Sequence, residues 1–482
     1  MLDVLKALGE HVRHRPDATA LVEDERTLTY RELCGFAGGL GRRVAGLRQV
    51  IGIFAPNCIE WIIADLALSH AGKTVVPLPV FFSPQQLAHI IKDAKVGYIL
   101  TIPPLVKTVS AMGVPYGLID LESAPLDVEA AQPSGCIIYT SGATGQPKGV
   151  RLGERQINRS AAAISQAVTA TQEDRYLSVL PFSLLLERIC GICAPLLAGA
   201  PVYIAKEAAA SCAKGDPAPL IEATERFRPT VSVLTPDLLK VWTIGLTASA
   251  KKAPASLRLV AVGGAPVPPA LAEAAWRRGI PVHEGYGLSE CCSVVAMNRP
   301  QGRIAGTVGV PISGVKVTIE DGEIVVAGPT VMDGYLHGPK PADKWRTGDL
   351  GSLDGNGFLT IHGRKDNVLV TSAGRNVSPE WIEGLILADP RISRCIVTGH
   401  GHSTLTAIVA PSPAGADWFA KINDEEVSGL LTSLCAEAPE YARPGRHIIT
   451  GEESLRDNEL LTMNGQPRRK NIAEHFAGDL CP

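Results

Sequence analysis

Apolar and polar positions follow a regular rhythm over the first hundred residues. Short apolar runs predict buried strands at residues 50–54, 75–77 and 98–102. Helical patterns occupy residues 58–71 and 83–95; Gly72 ends the first, and Ser83 is suited to cap the second. Thr29 is placed to cap an earlier helix. Strands that alternate with helices in this way indicate a mostly parallel α/β sheet.

The rhythm changes in the second half of the chain. A helix is predicted at 153–168, and strands are predicted at 177–181, 231–234 and 259–262. Between residues 303 and 362, turn signals at Asp321-Gly322 and at 354–357 predict hairpins, and therefore a small β subdomain. Beyond residue 367 we expect a compact unit with a strand at 368, a helix at 379–388, strands at 395–399 and 404–410, a helix at 424–437 and a strand at 447–450.

Composition limits the number of domains, the possible partners and the cellular location that can be expected. A chain of 482 residues, 45% hydrophobic and 20% charged, should form more than one globular domain. Its net charge of −3 gives no electrostatic signature for nucleic acid. The eleven cysteines have no disulfide-framework spacing, and the single CxxC at Cys190 and Cys193 is expected to be buried thiols. We expect a reducing, cytoplasmic location.

Targeting and membrane segments are not expected either. Residues 1–16 are charged and have no apolar core of a signal peptide. The most apolar stretch, 189–205, contains two prolines and two glycines and is short for a bilayer span. It is better interpreted as part of the α/β core, so no transmembrane segment is expected.

A glycine-rich loop, YTSGATGQPKGV at residues 139–150, follows the apolar run at 136–138. Its glycines allow tight bends with inward N–H groups, its hydroxyls donate hydrogen bonds, and Lys148 adds a positive charge. The spacing differs from a Walker loop, because Pro147 stands where that loop has glycine and Gly149 follows the lysine. The loop therefore predicts a phosphate cradle of another kind, although a plain Gly/Ser/Thr turn is the alternative.

Three further motifs carry candidate chemistry. The loop GGAP at 263–266 follows a predicted strand, where open α/β sheets bind ligands. In PVHEGYGLSE at 281–290, Tyr286 between two glycines can stack on a base, and Glu290 supplies a carboxylate for a hard cation such as Mg²⁺. In WRTGDL at 345–350, Asp349 on a glycine turn suits two ribose hydroxyls, or it simply caps the turn.

Together these motifs resemble those of the adenylate-forming enzymes, which include acyl-CoA synthetases, luciferases and peptide-synthetase adenylation domains. The resemblance extends from about residue 20 to residue 469 and is closest to fatty acyl-CoA synthetases. It implies an N-terminal domain at 1–363 that includes the β subdomain at about 303–362, a hinge at 364–366, and a mobile C-terminal domain at 367–482. The fold class implied is α/β, with layers of parallel sheet in the large domain and an α+β C-terminal domain.

The resemblance also assigns residues to ligands. Pyrophosphate of ATP is assigned to Thr140, Ser141, Gly142, Ala143, Thr144, Gly145 and Lys148. Adenine is assigned to Gly264, Ala265 and Pro266 and to the motif formed by Glu284, Gly285, Tyr286, Gly287, Leu288 and Ser289. Mg²⁺ is assigned to Thr140 and Glu290, ribose to Asp349 and Arg364, the hinge pivot to Asp366, and the thiol tunnel to the turn at Gly374.

Two positions bear on the substrate and the rate. The segment LPFSLLLER at 180–188 has leucines where enzymes for α-amino acids carry an aspartate, which favours a fatty or aryl acid. Gln466 stands where the family has a catalytic lysine, and a neutral amide cannot offset the charge that develops at the α-phosphate. Loss of such a contact costs about 10²–10³ in rate. Arg468, Arg469 or Lys470 could supply the missing charge.

The function that the resemblance implies is an ATP-dependent acid–thiol ligase. The catalytic set would be Thr140, Lys148, Glu290, Arg364 and Gln466, with ATP and Mg²⁺ as cofactors and CoA or the phosphopantetheine of a separate carrier protein as thiol acceptor. Two alternatives remain open. One is a homologue impaired in adenylation that performs only acyl transfer, and the other is a non-enzymatic binder of nucleotide or acyl-adenylate. A dinucleotide oxidoreductase is disfavoured, because no GxGxxG follows an early strand.

Overall fold

The computed structural model describes residues 1–140, 147–212, 214–339, 341, 344–461 and 467–480. The chain divides into two compact units. The first unit comprises Met1–Ala265, Ala274–Val317 and Val325–Trp345. The second unit comprises Pro266–Glu273, Thr318–Ile324 and Arg346–Pro482. The predicted boundaries at the hinge remain a prediction.

The strands, numbered in chain order, are given by their bounds. They are β1 Thr19–Glu23, β2 Arg26–Thr29, β3 Val50–Phe54, β4 Thr74–Pro77, β5 Tyr98–Thr101, β6 Tyr116–Leu118, β7 Gly135–Thr140, β8 Lys148–Gly153, β9 Tyr176–Ser178, β10 Val202–Ile204, β11 Val231–Leu234, β12 Leu259–Val262, β13 Val282–Leu288, β14 Ser293–Met297, β15 Val310–Pro311, β16 Lys316–Glu320, β17 Glu323–Ala327, β18 Gly334–Tyr335, β19 Lys344–Leu353, β20 Leu359–Arg364, β21 Leu369–Val370, β22 Asn376–Val377, β23 Ile392–Thr398, β24 Leu405–Pro411 and β25 Pro444–Ile449.

The α-helices are numbered in the same way. They are α1 Leu2–His14, α2 Tyr30–Ala45, α3 Ile59–His70, α4 Pro84–Asp93, α5 Val106–Ser110, α6 Glu154–Ala167, α7 Leu185–Glu187, α8 Ala194–Ala198, α9 Ala208–Cys212, α10 Ala218–Phe227, α11 Pro236–Ala248, α12 Pro269–Arg277, α13 Pro379–Ile386, α14 Ala416–Phe419, α15 Asp424–Leu434, α16 Glu452–Asp457, α17 Arg469–His475 and α18 Ala477–Leu480. A π-helix at Arg188–Cys193 joins α7 to α8.

Two large sheets form the first unit. One has the order β15-β14-β13-β12-β11-β9-β10-β1-β2, and its central pairs from β13 to β1 are parallel. The other has the order β18-β8-β7-β4-β3-β5-β6, in which β7, β4, β3, β5 and β6 run parallel. Antiparallel strands complete both sheets at their edges. The predicted α/β class with parallel-sheet layers is confirmed.

Local sequence signals explain where several helices begin. Thr29 Oγ1 accepts a hydrogen bond from the Glu32 N–H, and the Glu32 carboxylate accepts one from the Thr29 N–H, so the predicted cap of α2 is part of a capping box. Ser83 and Gln86 form the same arrangement at the start of α4. Gly72 lies just after α3 with φ of +66°, a conformation that favours glycine. These helix limits are confirmed to within about two residues, which is the usual uncertainty of helix ends.

The apolar stretch at 189–205 is core, as predicted. Its residues in the π-helix are fully buried, and Cys190 and Cys193 are buried thiols. Burial raises the pKa of both thiols, so they remain protonated and unreactive. None of the helices in the described ranges has the length and apolarity needed to cross a bilayer.

The second unit contains a three-stranded sheet in the order β23-β24-β25, a two-stranded ladder of β21 and β22, and the antiparallel pair of β19 and β20. Helices α13 and α15 pack their apolar faces on one core, in which Ile382, Val409 and Leu431 are buried. The predicted strands and helices beyond residue 367 are confirmed, with shifts of a few residues at their ends. This is the C-terminal α+β arrangement that the sequence predicts.

Candidate functional site

The glycine-rich loop lies at the tip of a β-hairpin. Strands β7 and β8 are antiparallel neighbours, and Thr140 is the register partner of Lys148. This pairing places a hydroxyl and an ammonium on opposite sides of the hairpin mouth. Residues 141–146, which include most of the predicted pyrophosphate contacts, lie outside the described residues. Strand β8 directly follows the loop, an element that the sequence analysis did not assign.

Polar contacts with α4 hold the end of this hairpin that is next to the loop. The Tyr139 hydroxyl donates to Asp93 Oδ2 at 2.6 Å, and His337 Nε2 lies 2.9 Å from Asp93 Oδ1. His89 Nε2 lies 3.1 Å from the Pro147 carbonyl oxygen. Burial, and then Asp93, raise the pKa of Tyr139, so the phenol stays protonated and keeps donating. No local pattern indicates these contacts, because the partners come from distant segments of the chain.

The motif at 284–290 runs from the end of a central strand into a short turn. Gly285, Tyr286 and Gly287 lie in β13, and the 3₁₀ turn Ser289–Cys291 carries Glu290. A Cβ at Gly287 would overlap the backbone of Ser293 in β14. The glycine is therefore required by strand pairing, whatever its effect on access to the Tyr286 ring. Gly264, which follows β12 in the predicted adenine loop, has φ of +85° and open space around it.

The carboxylate of Glu284 is hydrogen-bonded inside the protein. It is buried and accepts hydrogen bonds from Arg303 Nη2 at 2.6 Å and from Asn298 Nδ2 at 3.0 Å. The Asn298 side-chain oxygen in turn accepts the Ile304 backbone N–H. This network fixes the strand end that leads into Tyr286. Any ligand contact at this position would therefore involve the Glu284 backbone.

Glu290 and Lys148 both lie against one aromatic residue. The Tyr335 hydroxyl donates to Glu290 Oε1 at 2.7 Å. The Lys148 ammonium lies 5.7 Å from the centroid of the Tyr335 ring, within reach of a cation–π interaction. Sequence reasoning missed Tyr335. The only local signal was its place beside Gly334, too weak to indicate function.

In the second unit, the predicted ribose residues are direct partners. Arg364 Nη1 lies 3.0 Å from Asp349 Oδ1, and the two residues face each other across β19 and β20. Gly348 has φ of +74° but lies within β19, so Asp349 is on a strand and the predicted glycine turn is wrong. Asp349 is buried, and its backbone N–H donates to Thr347 Oγ1 at 3.0 Å. The pair provides a carboxylate and a guanidinium on adjacent strands.

Glu323 organises the surroundings of that pair and was not predicted. Its carboxylate accepts hydrogen bonds from Arg346, from the Gly348 N–H and from Lys365. Although desolvation acts to raise it, these three hydrogen bonds lower the pKa of Glu323. The Glu323 carboxylate thus connects Gly348, the residue before Asp349, to Lys365, the residue before the predicted pivot.

The predicted pivot and tunnel residues lie on short structures. Asp366 is in the 3₁₀ turn Lys365–Asn367, and Asn367 Nδ2 donates to Glu380 Oε1 at 2.6 Å. Gly374 has φ of +73° in the turn between β21 and β22, with open space where a side chain would start. Their roles as pivot and tunnel residues remain predictions.

Gln466 lies outside the described residues, but its neighbours restrict what could replace the family lysine. Leu461 and Pro467 form an isolated antiparallel bridge on either side of the segment that holds it. Arg469 is tied to Glu383 by contacts of 2.8 and 2.9 Å. Lys470 is exposed on α17, 3.9 Å from Glu474. Arg468 has a buried Nε with no partner among the described residues, which makes it the better candidate for a substitute charge.

The segment at 180–188, whose leucines favour a fatty or aryl acid, combines buried apolar side chains with a buried carboxyl group. Phe182 and Leu185 are buried. The carboxyl side chain of Glu187 is completely buried as well. The Tyr176 hydroxyl donates to Glu187 Oε2 at 3.1 Å. Burial raises the pKa of Glu187 to about 8, although the hydrogen bond from Tyr176 acts in the opposite direction. The carboxyl group is therefore neutral at pH 7.

Replacing Glu187 by glutamine is expected to flatten the dependence of stability on pH. Between the ordinary value of 4.5 and about 8, the folded protein retains a proton that the unfolded chain releases. The free energy of unfolding therefore falls as pH rises through this window, by up to about 1.4 kcal/mol per pH unit. Urea unfolding at pH 5 and pH 8 checks this. The exposed Glu222→Gln on α10 is the control, and an equal pH response of wild type and Glu187→Gln would contradict the prediction.

Comparison with known proteins identifies the family. The model for AMP-binding enzymes matches residues 8–336, and the model for the C-terminal domain of AMP-binding enzymes matches residues 366–480. The chain belongs to the AMP-binding enzyme family. These are the adenylate-forming enzymes that the motifs resemble, so that expectation is confirmed.

Relatives within the family are named as acid–CoA ligases. A long-chain-fatty-acid–CoA ligase, FadD15 of Mycobacterium bovis, is 26% identical, with 90% of this chain and 88% of the relative covered. A 2-succinylbenzoate–CoA ligase of Bacillus licheniformis is 27% identical, with 89% and 94% covered. One relative thus acts on a fatty acid and the other on an aromatic acid.

Solved structures of AMP-binding enzymes confirm the fold. The anthranilate CoA ligase AuaEII, in complex with anthranoyl-AMP, has a TM-score of 0.84 at 20% identity, with 99% of this chain and 98% of that chain covered. The o-succinylbenzoate CoA synthetase of Bacillus subtilis, in complex with ATP and a magnesium ion, has a TM-score of 0.78 at 22% identity, with 96% and 98% covered. At these identities the likeness establishes the fold alone.

Proposed function

We propose that this AMP-binding enzyme is an ATP-dependent acid–thiol ligase that activates a fatty or aryl carboxylic acid as its acyl-adenylate and transfers the acyl group to CoA. The observation that carries the proposal is the convergence of Lys148 and Glu290 on Tyr335 beside the β7–β8 hairpin. A cation and a carboxylate there suit the phosphates of ATP and the divalent cation that accompanies them. The ligase names of the relatives support the same reaction class.

The first half-reaction requires an electrophilic α-phosphate. The acid carboxylate attacks that phosphorus, an acyl–phosphate bond forms, and the bond to the pyrophosphate leaving group breaks. We propose that Lys148 offsets the charge on the leaving pyrophosphate, while Asp349 and Arg364 position the ribose. Catalysis of this kind depends mainly on positioning and on charge stabilisation.

The donor set fits Mg²⁺. Thr140 and Glu290 offer a hydroxyl and a carboxylate oxygen, which are hard donors, and Mg²⁺ is usually held by one or two such protein groups together with substrate phosphates. Glu290 Oε1 accepts the Tyr335 hydroxyl, and Oε2 accepts no hydrogen bond within the part of the chain that the structure describes. When bound, the cation would draw charge from the phosphates.

The second half-reaction would use a thiol. Sulfur of CoA attacks the acyl carbonyl, a thioester forms, and AMP leaves. We propose that the C-terminal domain rotates about Asp366 between the two steps and that the turn at Gly374 then lines the thiol path. A carrier-protein phosphopantetheine would react in the same way, so the acceptor is decided by the assay below.

The apolar residues around Phe182 and Leu185 favour an alkyl or aryl acid over an amino acid. Both side chains are buried, and the only carboxylate in the segment, Glu187, faces Tyr176 inside the protein. A neutral Glu187 would not hold the ammonium group of an amino acid by charge. We therefore propose a substrate without an α-amino group.

A second candidate function is favoured by Gln466. With Arg469 bound to Glu383 and Lys470 on an exposed helix, two of the three neighbouring cations are not placed to replace the family lysine. The protein would then accept a preformed acyl-adenylate or acyl-CoA and perform acyl transfer alone. Such a protein would bind nucleotide without releasing pyrophosphate.

The assay that separates these functions follows pyrophosphate and AMP release from MgATP with a panel of fatty and aryl acids, with and without CoA. The expected result is acid-dependent pyrophosphate release, with AMP and a thioester formed when CoA is present. Lys148→Met tests the proposed role of the hairpin lysine and should slow pyrophosphate release by about 10²-fold or more. Nucleotide binding without pyrophosphate release across the panel would contradict the ligase and favour acyl transfer alone.

A further inference from the structure

The segment that carries Tyr335 connects the hairpin to the Glu290 turn. Strand β18 is an edge strand that pairs with β8, and the Leu336 N–H donates to the Gly149 carbonyl oxygen at 2.7 Å. At the other end of the segment, the Met332 N–H donates to the Glu290 carbonyl oxygen at 2.8 Å. Backbone hydrogen bonds therefore fix Tyr335 relative to both parts of the candidate site.

Further bonds hold this segment from behind. Gln156 Nε2 donates to Asp333 Oδ1 at 2.8 Å and to the Val331 carbonyl oxygen at 3.0 Å, and Arg151 Nη2 donates to the Asp333 carbonyl oxygen at 3.2 Å. The Tyr335 ring meets Trp345 edge to face, with centroids 5.9 Å apart. A side chain supported on this many sides has little rotational freedom.

The hydroxyl of Tyr335 has a defined effect on Glu290. Donation to Oε1 at 2.7 Å prevents rotation of the carboxylate. A phenol hydroxyl orients the carboxylate without placing a positive charge beside it. A cationic donor in the same place would orient the carboxylate but would also oppose metal binding.

The ring of Tyr335 has a separate effect on Lys148. The ammonium lies 5.7 Å from the ring centroid, where the negative face of the ring attracts it. Lys148 is exposed at the hairpin mouth, and a long side chain there samples many rotamers in water. Attraction to the ring limits that sampling near the position assigned to the phosphates.

We propose that Tyr335 is a positioning residue for MgATP: its hydroxyl orients Glu290 for the divalent cation, and its ring keeps Lys148 near the phosphates. The inference rests on the proposed function only in taking MgATP as the ligand. Tyr335 acts through two other residues and takes no part in bond making.

Two variants separate the two effects. Tyr335→Phe keeps the ring and its packing on Trp345 but removes the hydroxyl, so the Mg²⁺ concentration for half-maximal binding of a non-hydrolysable ATP analogue should rise about ten-fold. Its affinity for the analogue without Mg²⁺ should stay unchanged. Tyr335→Leu also removes the ring, so the affinity without Mg²⁺ should fall about two- to five-fold.

The measurement is calorimetric titration of the ATP analogue at a series of Mg²⁺ concentrations, with thermal midpoints recorded for each variant. Tyr203→Phe, on β10, is the control for loss of a phenol elsewhere in the same unit. A Tyr335→Phe protein with the wild-type Mg²⁺ dependence would overturn the inference. So would an equal loss of analogue affinity with and without Mg²⁺, because that pattern reflects general damage to the site.

The pyrophosphate assay keeps this inference distinct from the ligase proposal. A higher Mg²⁺ requirement in Tyr335→Phe, together with no acid-dependent pyrophosphate release by the wild type, would support the inference and overturn the ligase. Acid-dependent pyrophosphate release by the wild type, together with an unchanged Mg²⁺ requirement in Tyr335→Phe, would support the ligase and overturn the inference. A wild-type protein that binds no ATP analogue at any Mg²⁺ concentration would overturn both.

Discussion

Replacing Arg188 by leucine is expected to lower the free energy of unfolding by about 3–5 kcal/mol. Arg188 and Asp65 are 1% and 0% exposed and form a double hydrogen bond, with Nε 2.9 Å from Oδ2 and Nη2 2.7 Å from Oδ1. Without the guanidinium, the Asp65 carboxylate would remain buried without its partner. That penalty accounts for the expected loss.

Urea unfolding at pH 7 measures this effect, and two further variants show its cause. Arg26→Leu makes the same substitution in a partly exposed pair with Glu60 and should cost no more than about 1 kcal/mol. Asp65→Leu combined with Arg188→Leu removes both charges and should recover part of the stability. A double variant less stable than Arg188→Leu alone would show that the loss comes from packing.

Replacing Gln466 by lysine is expected to raise the rate of pyrophosphate release by about 10²–10³-fold. The added ammonium would stabilise charge that develops as the acid carboxylate attacks the α-phosphate. The same stabilisation is weak in the ground state, so the effect should appear in the rate of release much more than in ATP affinity. Single-turnover measurement of pyrophosphate release, with saturating acid and MgATP, checks this.

Asn464→Lys provides the matched control, because it adds the same charge to the same segment at another position. Arg468→Ala tests whether that arginine supplies the charge in the wild type: it should slow the wild type and have little effect on Gln466→Lys. A fast wild type whose rate is unchanged by Gln466→Lys would contradict the prediction. It would show that another group already fills the role.

The sequence predicted the elements whose signals are local. Capping residues Thr29 and Ser83, the glycine after α3 and the apolar runs of the parallel strands all act within a few residues, so helix and strand limits followed from them. Strand β8 was not predicted, because the glycine-rich loop and the charged Lys148 obscure its short apolar pattern. Its existence depends on pairing with β7, which sequence spacing alone does not reveal.

The candidate site also contains residues that local motifs identified and residues that they did not. Motifs identified Glu290, Asp349 and Arg364, and the structure brings the last two together at 3.0 Å. Tyr335 and Glu323 were missed because their partners are distant along the chain and share no motif with them. Glu290 is 45 residues from Tyr335, and Lys365 is 42 residues from Glu323. Strand pairing also requires Gly287, since the backbone of β14 leaves no room for a side chain there, and the predicted place of Gly287 beside adenine stays a prediction.

The bridge between Leu461 and Pro467 has a consequence for how this family member could change over time. The ends of the segment that contains Gln466 are joined to each other, and Arg468 N–H donates to the Leu460 carbonyl oxygen at 2.8 Å just beyond the bridge. These two contacts hold the residues that precede α17, and neither of them involves position 466. Glutamine and lysine codons differ by one base, so a lineage could lose or regain a positive charge at position 466 in a single mutational step.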